Sequence, residues 1–125
     1  MMTFFNAKQS KNDTTLNSTE LGGFSIEYSY QGDTVFEISY HDNVDNNIYE
    51  TYYFQNKQLI CSKVEVGGYG LGAPLYRGAE YYRNGKIVYS INPASEAPKE
   101  FHDRVGFSWW EKGNEYYEQV KKEFP

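Results

Sequence analysis

The sequence predicts an α+β fold that is mostly β: an antiparallel meander of about six strands with a C-terminal amphipathic helix packed on one face. Three observations carry this prediction. Aromatic residues make up 18% of the 125 residues, and such side chains suit a pleated, half-buried surface. Segments of alternating apolar and polar residues follow one another from residue 24 to residue 91. After residue 94 the apolar spacing changes to the helical period.

The chain length indicates a single domain over residues 1–125, because 125 residues fall within the usual range for one domain. In this interpretation residues 1–23 are a polar, turn-rich arm, with a short strand or helix as an option near Thr3–Ala7. Residues 24–91 form the antiparallel meander. Residues 94–125 form the helical C-terminal segment.

The first two predicted strands show the alternation most clearly. "FSIEYSY" places Phe24, Ile26, Tyr28 and Tyr30 on one face, and the turn "QGD" follows. "TVFEISY" then repeats the pattern. Its expected faces are Phe36, Ile38 and Tyr40 on one side and Val35, Glu37 and Ser39 on the other.

Four more strands are expected in two further hairpins. "IYETYYF" and "LICSKVEV" form the third and fourth strands, and "RGAEYY" and "KIVYSI" form the last two. Asn84-Gly85 suits a type I′ turn, in which both central residues need positive φ. "YFQNKQLICS" and "YYRNGKIVYS" align at an offset of 28 residues, which predicts two hairpins of one design.

The C-terminal segment shows two helix starts. Ser95 is expected to cap a short helix over "EAPKEFHDRV", with Pro98 in its first turn. Ser108 followed by Glu111 is a capping-box signature. Gly113 indicates either a close approach to the sheet or a break between two helices. The expected apolar face of the second helix is Trp109, Gly113, Tyr116, Val120 and Phe124, joined by Trp110 and Tyr117.

The charge distribution limits the class of partner. The net charge is −5, and the first 60 residues hold eight acidic and three basic residues. Nucleic-acid binding depends largely on phosphate neutralisation, and the chain has no Lys/Arg cluster. We therefore expect a basic protein partner and no nucleic acid. A mean hydropathy of −0.76 and the lack of a long apolar run predict no membrane span.

The cysteine content and the first residues bear on the compartment. Cys61 is the only cysteine, so neither an intrachain disulfide nor a multi-cysteine zinc site is expected. "MMTFFNAKQSKN" lacks the basic and apolar regions of a signal peptide. These observations predict a cytoplasmic location. A periplasmic or envelope location stays open if an export signal precedes this sequence in the gene.

The glycine-rich stretch "VGGYGLGAPLYRGAE" does not match a nucleotide-binding loop. A phosphate-binding loop opens a helix, whereas this stretch lies between two predicted strands and lacks the Lys-Ser/Thr of a P-loop. Two interpretations stay open. The stretch is either a long flexible connection or an adaptable loop that contacts a partner through side chains such as Tyr69 and Tyr76.

The candidates for chemistry are few. His41-Asp42 and His102-Asp103 leave a two-histidine acid–base pair open, but neighbouring residues point in different directions and surface histidines are the preferred interpretation. Cys61 has no basic neighbour before Lys63, which favours an inert thiol. We expect no catalytic residue, metal site or cofactor. The pair Trp109-Trp110 is expected to place one indole in the core and the other at its rim or against a partner.

The chain resembles a recurring class of small, largely uncharacterised bacterial β-meander proteins. The resemblance rests on "STELGG", on the "QGD" turn, on "ETYYFQNKQLI" and on "EYYRNGKI", and it spans residues 17–91. Such proteins are often exported or lipid-anchored, whereas this sequence has neither a signal sequence nor a lipobox cysteine. In size and acidity the chain is also similar to immunity proteins, which neutralise a toxin by covering its active site.

We therefore expect a non-enzymatic protein-binding module, most specifically an immunity-type protein that occludes a bacterial toxin. The alternatives are an envelope-associated small-ligand-binding or structural module, and an enzyme that uses the two histidines. Acidic residues would attract the partner and aromatic residues would supply contact area. The expected contact residues are Glu27, Glu37, Asp42, Asp45, Tyr69, Tyr76 and Trp110.

Overall fold

The computed structural model describes residues 14–18, 24–42, 47–67 and 75–122. The strands among these residues form one antiparallel sheet, in which each strand pairs with the next along the chain. The seven strands are β1 (Thr14–Ser18), β2 (Phe24–Gln31), β3 (Thr34–Asp42), β4 (Asn47–Gln55), β5 (Gln58–Gly67), β6 (Tyr76–Arg83) and β7 (Lys86–Ile91). A 3₁₀ helix (Ala94–Glu96) and two α-helices, α1 (Lys99–Val105) and α2 (Trp109–Lys121), follow.

The predicted fold class is confirmed, with two corrections in detail. β1 lies within the arm that was expected to be a loop, and it adds a seventh strand by pairing with β2. Its sequence "TTLNS" carries two β-branched threonines, which favour a strand beside an existing edge. Ser95 does not cap α1; it lies inside the 3₁₀ helix, and Pro98 occupies the position before α1. The option near Thr3–Ala7 falls outside the described residues.

Three of the hairpins share one construction. Each has a two-residue turn, two paired positions and then one extra residue, a bulge, on the returning strand. The β6–β7 turn places Asn84 at φ 53° and Gly85 at φ 77°, which confirms the predicted type I′ geometry. The β4–β5 turn repeats it with Asn56 and Lys57, both at positive φ. The extra residues that form the bulges are Phe36, Ile60 and Val88.

These bulges change which side chains reach the core. The extra residue in β3 is Phe36, which leaves Ser29 opposite Glu37 and Tyr30 opposite Val35. A bulge shifts the alternation of the strand by one position. Val35 is therefore buried like Ile38, whereas Phe36 is only half-buried. The expected grouping of Phe36 with Ile38 is wrong for this reason.

The helices cover one face of the sheet, and the core lies between them. Trp109 at the start of α2 is fully buried, and its Cη2 approaches Gly78 of β6. An added Cβ on Gly113 would lie 2.6 Å from Tyr52 Cδ1, so this glycine marks the close approach of α2 to β4. α2 runs without a break through Gly113. The Ser108 side chain accepts a hydrogen bond from the Glu111 amide, as the capping signature predicted.

Candidate functional site

The second face of the sheet is the candidate functional surface, and we call it the open face. Strand alternation separates it from the buried side, because residues paired across the strands point to the same face. No helix of the described residues packs against it. From β3 to β7 its cross-strand rows are His41, Tyr49, Glu65 and Arg77; Ser39, Thr51, Lys63, Ala79 and Ile91; and Glu37, Tyr53, Cys61, Tyr81 and Tyr89.

A shallow groove of about 430 Å³ crosses the open face over β4, β5 and β6. Tyr49 and Tyr81 lie at the groove, and Thr51, Lys63 and Ala79 are the middle row between them. A second depression of about 260 Å³ adjoins it over β2 and β3. Tyr49 and Thr51 line both depressions, which therefore adjoin each other along β4.

The two halves of the open face differ in charge. On the β2–β3 side, Glu27 is exposed and Glu37 is half-buried. On the β5–β6 side, Arg77 Nε lies 3.4 Å from Glu65 Oε1, and both side chains are well exposed. Lys63 Nζ lies 5.6 Å from the centre of the Tyr53 ring. The open face therefore has an acidic half on β2 and β3 and a half on β5 and β6 that carries both charges. The two halves meet along β4.

The Cys61 thiol on the open face is not set up as a nucleophile. Burial raises the pKa of Cys61, and the opposing effects of Lys63 and Tyr81 are smaller. Burial also raises the pKa of Tyr53, which faces Cys61 across β4 and β5. A thiol with a raised pKa stays protonated near neutral pH and is a poor nucleophile. Its environment therefore agrees with the inert thiol that the sequence indicated.

A buried ion pair links the sheet to α2 on the covered face. Lys112 Nζ lies 2.8 Å from Glu50 Oε2 and donates to the backbone oxygens of Arg104 and Val105 at 3.2 Å each. The Tyr52 hydroxyl donates to Glu50 Oε1 at 2.5 Å. Burial raises the pKa of Glu50, with the Lys112 charge opposing that rise. These groups satisfy one another, so the cluster holds α2 against β4.

A second buried carboxylate anchors the chain as it leaves the sheet. Glu80 Oε2 accepts a hydrogen bond from the Ala94 amide at 2.8 Å, and Glu80 Oε1 accepts one from the Tyr82 hydroxyl at 2.7 Å. The Tyr82 hydroxyl also lies 3.0 Å from Ser62 Oγ. Glu80 therefore fixes the 3₁₀ helix over β6, and its oxygens are engaged by these contacts.

The structure removes two of the expected contact residues from the surface. Asp42 is buried, accepts a hydrogen bond from the Tyr40 hydroxyl at 2.6 Å and forms an ion pair with Arg104 of α1. Tyr76 is buried and donates to the backbone oxygen of Asn92; burial raises the pKa of Tyr76 to about 12. Because both side chains fix the helical segment to the sheet, their expected role in partner contact is corrected.

The other expected contact residues divide into three groups. Glu27 and Glu37 share the open face. Trp110 lies on the covered side of the sheet, half-buried, with its ring centre 5.1 Å from that of Tyr82 in an edge-on arrangement. Asp45 and Tyr69 fall outside the described residues. The predicted residues thus do not form one surface.

The two histidines do not form an acid–base pair. His41 lies on the open face, where its ring stacks on Tyr49 with centres 4.4 Å apart. His102 belongs to α1 on the covered side, and its ring centre is 4.6 Å from that of Phe107. The sheet separates them. Within the described residues, no group of three or more His, Cys, Asp or Glu side chains is arranged to hold a metal ion.

The residues that sequence reasoning missed are those of the groove itself. Tyr49 and Tyr81 belong to alternating strands, and each occupies a position between two buried neighbours. The sequence alone did not reveal this placement, because the buried neighbours include the charged Glu50 and Glu80. Nothing in the sequence indicates that the helices leave this face uncovered.

No protein-family model, no curated protein and no solved structure matches this chain. None of the helices in the described residues has the length and apolar character needed to cross a membrane.

Proposed function

We propose that this chain is a non-enzymatic protein-binding module that holds its partner on the open face of the sheet. The observation that carries the proposal is a pair of adjoining depressions on the open face, with exposed aromatic side chains beside them. Tyr49 is 48% exposed and Tyr89 is 59% exposed, and both belong to this face. Tyrosine is enriched among the residues that dominate binding energy at protein interfaces.

The placement of the polar residues supports binding rather than catalysis. The two best-formed carboxylate clusters, around Glu50 and Glu80, lie on the covered face and hold the helices. The open face offers a thiol with a raised pKa and a histidine stacked on Tyr49. A binding role uses the open-face side chains as they stand, whereas catalysis needs a nucleophile or a base with a positioned partner.

The acidic half of the open face indicates the charge of the partner. Glu27 and Glu37 lie on adjacent strands, and the chain as a whole carries a net charge of −5. Such a field accelerates the encounter with a basic protein and orients its approach. The finer form of the proposal is an immunity-type protein, for which a basic toxin is the partner and covering its active site is the mechanism.

The experiment compares open-face and covered-side variants in a binding assay with the product of the neighbouring gene. Tyr49→Ala and Tyr81→Ala are expected to weaken binding by ~10-fold or more, because central aromatic residues typically contribute about 2 kcal/mol. Phe107→Ala is the matched control, since Phe107 is an exposed aromatic residue beside α1 on the other side. Equal losses for all three variants would remove the open face from the proposal.

A growth assay tests the immunity form separately. Co-expression of this chain with the toxin candidate is expected to restore growth, and Tyr49→Ala is expected to reduce that rescue. Glu27→Lys is expected to slow association, with a smaller effect at high salt because mobile ions screen exposed charges. Binding without rescue would retain the binding module and reject the toxin-inhibitor role.

The groove supports one alternative function, an envelope-associated small-ligand-binding module. Its volume of about 430 Å³ falls within the range of roughly 300–1,000 Å³ that is typical of small-molecule sites. Nuclear magnetic resonance titration with a library of small aromatic compounds distinguishes the two functions. Saturable shifts confined to Thr51, Lys63 and Ala79 would favour the small ligand over a protein partner.

A further inference from the structure

The sheet ends at β7, and this strand has an exposed outer edge. β7 pairs with β6 on one side, and no other strand in the described part of the chain pairs with it. An edge strand presents a row of backbone N–H and C=O groups. Another extended strand matches this row, because only a strand supplies donors and acceptors at the same spacing.

The side chains of β7 leave this edge unprotected. Ile87 is 51% exposed and Val88 is 54% exposed, and Tyr89 and Ile91 are exposed to a similar degree. Natural proteins usually protect an edge strand with charges, with proline or with covering segments. Apart from the bulge at Val88, the protection that β7 carries is one charged residue, Lys86 at its first position. An apolar edge of this kind is characteristic of a strand that is paired in the assembled protein.

We propose that β7 pairs in antiparallel fashion with β7 of a second copy of this chain. A two-fold axis makes such an interface self-complementary, so that the assembly closes as a dimer. Pairing of β7 with β1 of another copy would instead be head-to-tail and would continue into a filament unless the arrangement closed into a ring.

The charges near β7 favour the antiparallel arrangement. Arg83 and Lys86 flank the turn at one end of the strand, and the exposed Glu96 follows at the other end. An antiparallel pair separates the two basic turns to opposite ends of the interface. A parallel pair would place the two Lys86 side chains next to each other, which is unfavourable.

The dimer would form one continuous sheet from the two copies. Because a two-fold axis perpendicular to the sheet relates antiparallel strands, the two open faces lie on the same side of the dimer. This proposal does not depend on the proposed function, since it concerns backbone pairing at the edge and not the groove. It does predict that a partner on the open face would find two sites.

Sedimentation velocity over a concentration series tests the proposal. We expect a reversible monomer–dimer equilibrium, weak because a single strand pair falls in the small class of interfaces. Ile87→Lys is expected to raise the dissociation constant at least ~10-fold, because it places a charge on the paired edge without altering the open face. Leu75→Lys is the matched control, since Leu75 is 56% exposed and lies outside β7.

Two further measurements make the result decisive. Thermal unfolding of dilute Ile87→Lys protein is expected to match the unsubstituted chain, which shows that the monomer still folds. Amide hydrogen exchange is expected to slow in β7 as the concentration rises. A chain that stays monomeric at ~1 mM, a dimer that survives Ile87→Lys, or concentration-dependent protection elsewhere than in β7 would each overturn the proposal. Protection of β7 only by a different protein would also overturn it.

Discussion

Replacement of Lys112 by methionine tests the role of the buried ion pair. The Glu50 carboxylate is fully buried, and Lys112 supplies the cation beside it. Methionine keeps most of the side-chain length and removes the charge. The carboxylate then has two options: it stays ionised without a cation, at a cost of about 3–5 kcal/mol, or it takes up a proton.

Protonation of Glu50 sets an upper limit on the loss of stability that the missing charge causes, and this limit depends on pH. The ordinary pKa of a glutamate is 4.5, so keeping Glu50 protonated near pH 7 costs about 3.4 kcal/mol, at 1.36 kcal/mol per pH unit. Near pH 5 the same limit is about 0.7 kcal/mol. The lost contacts of Lys112 with two backbone oxygens add about 1 kcal/mol at either pH. We expect Lys112→Met to lower the free energy of unfolding by at most about 4 kcal/mol near pH 7 and about 2 kcal/mol near pH 5, because the raised pKa of Glu50 in the unsubstituted protein already carries part of the protonation cost.

The sign of the pH effect follows from the direction of the Glu50 shift. Burial raises the pKa of Glu50 in the folded state, so the folded state holds its proton to higher pH than the unfolded state. The stability that depends on this proton is fully present below the ordinary pKa of glutamate. It is lost as the pH rises through the raised pKa of Glu50 in the folded state. In Lys112→Met the raised pKa moves further up, and the defect therefore grows with pH.

Urea unfolding at the two pH values measures this effect. The double variant Glu50→Gln/Lys112→Met is the control, because it removes the titrating group and should show a defect that does not depend on pH. Equal losses for Lys112→Met near pH 5 and near pH 7 would refute the argument. So would a loss below about 1 kcal/mol near pH 7, because this is less than the carbonyl contacts alone should cost.

Three smaller effects follow from backbone geometry and packing. Lys57→Gly is expected to raise the free energy of unfolding in urea by about 1 kcal/mol, because Lys57 has φ 64°, and Gly85→Lys should lower it by a similar amount. Equal stabilities of the two variants would contradict the shared turn geometry. Gly113→Ala should lower the melting temperature. Overpacking against Tyr52 costs about 1–3 kcal/mol, which outweighs the gain of about 1 kcal/mol in helix propensity. A higher melting temperature would contradict this reasoning. Ser108→Ala should cost about 1 kcal/mol in urea unfolding, with Ser108→Thr as the control that retains most of the cap.

The strands and their local turns could be predicted from the sequence because their signals are local. Alternation placed Ile38 and Tyr28 on the covered face, and the Asn84-Gly85 pair specified its turn. The positions that sequence reasoning misplaced depend on a tertiary or register effect. The bulge at Phe36 arises from the pairing of β2 with β3, and a period-two pattern read along one strand cannot reveal it.

The candidate site was harder to predict because exposure depends on what covers the sheet. Asp42 looks like a surface residue in a polar turn segment, yet α1 brings Arg104 to it from 62 positions away. Tyr76 looks like part of a flexible loop, yet it is buried where residues 92–93 cross β6. Which face remains open is decided by where the helices dock, and that docking is a property of the whole chain.

The shared plan of the hairpins has a consequence for how this protein can change over generations. The equivalent turn residues Gly32, Asn56 and Asn84 are separated by 24 and 28 positions, and each unit begins and ends with its side chains in the same orientation. An in-frame duplication of one unit therefore adds two strands and keeps the apolar and water-facing sides in phase. A gene of this kind can lengthen or shorten its product by whole hairpins, and the width of the open face changes with it.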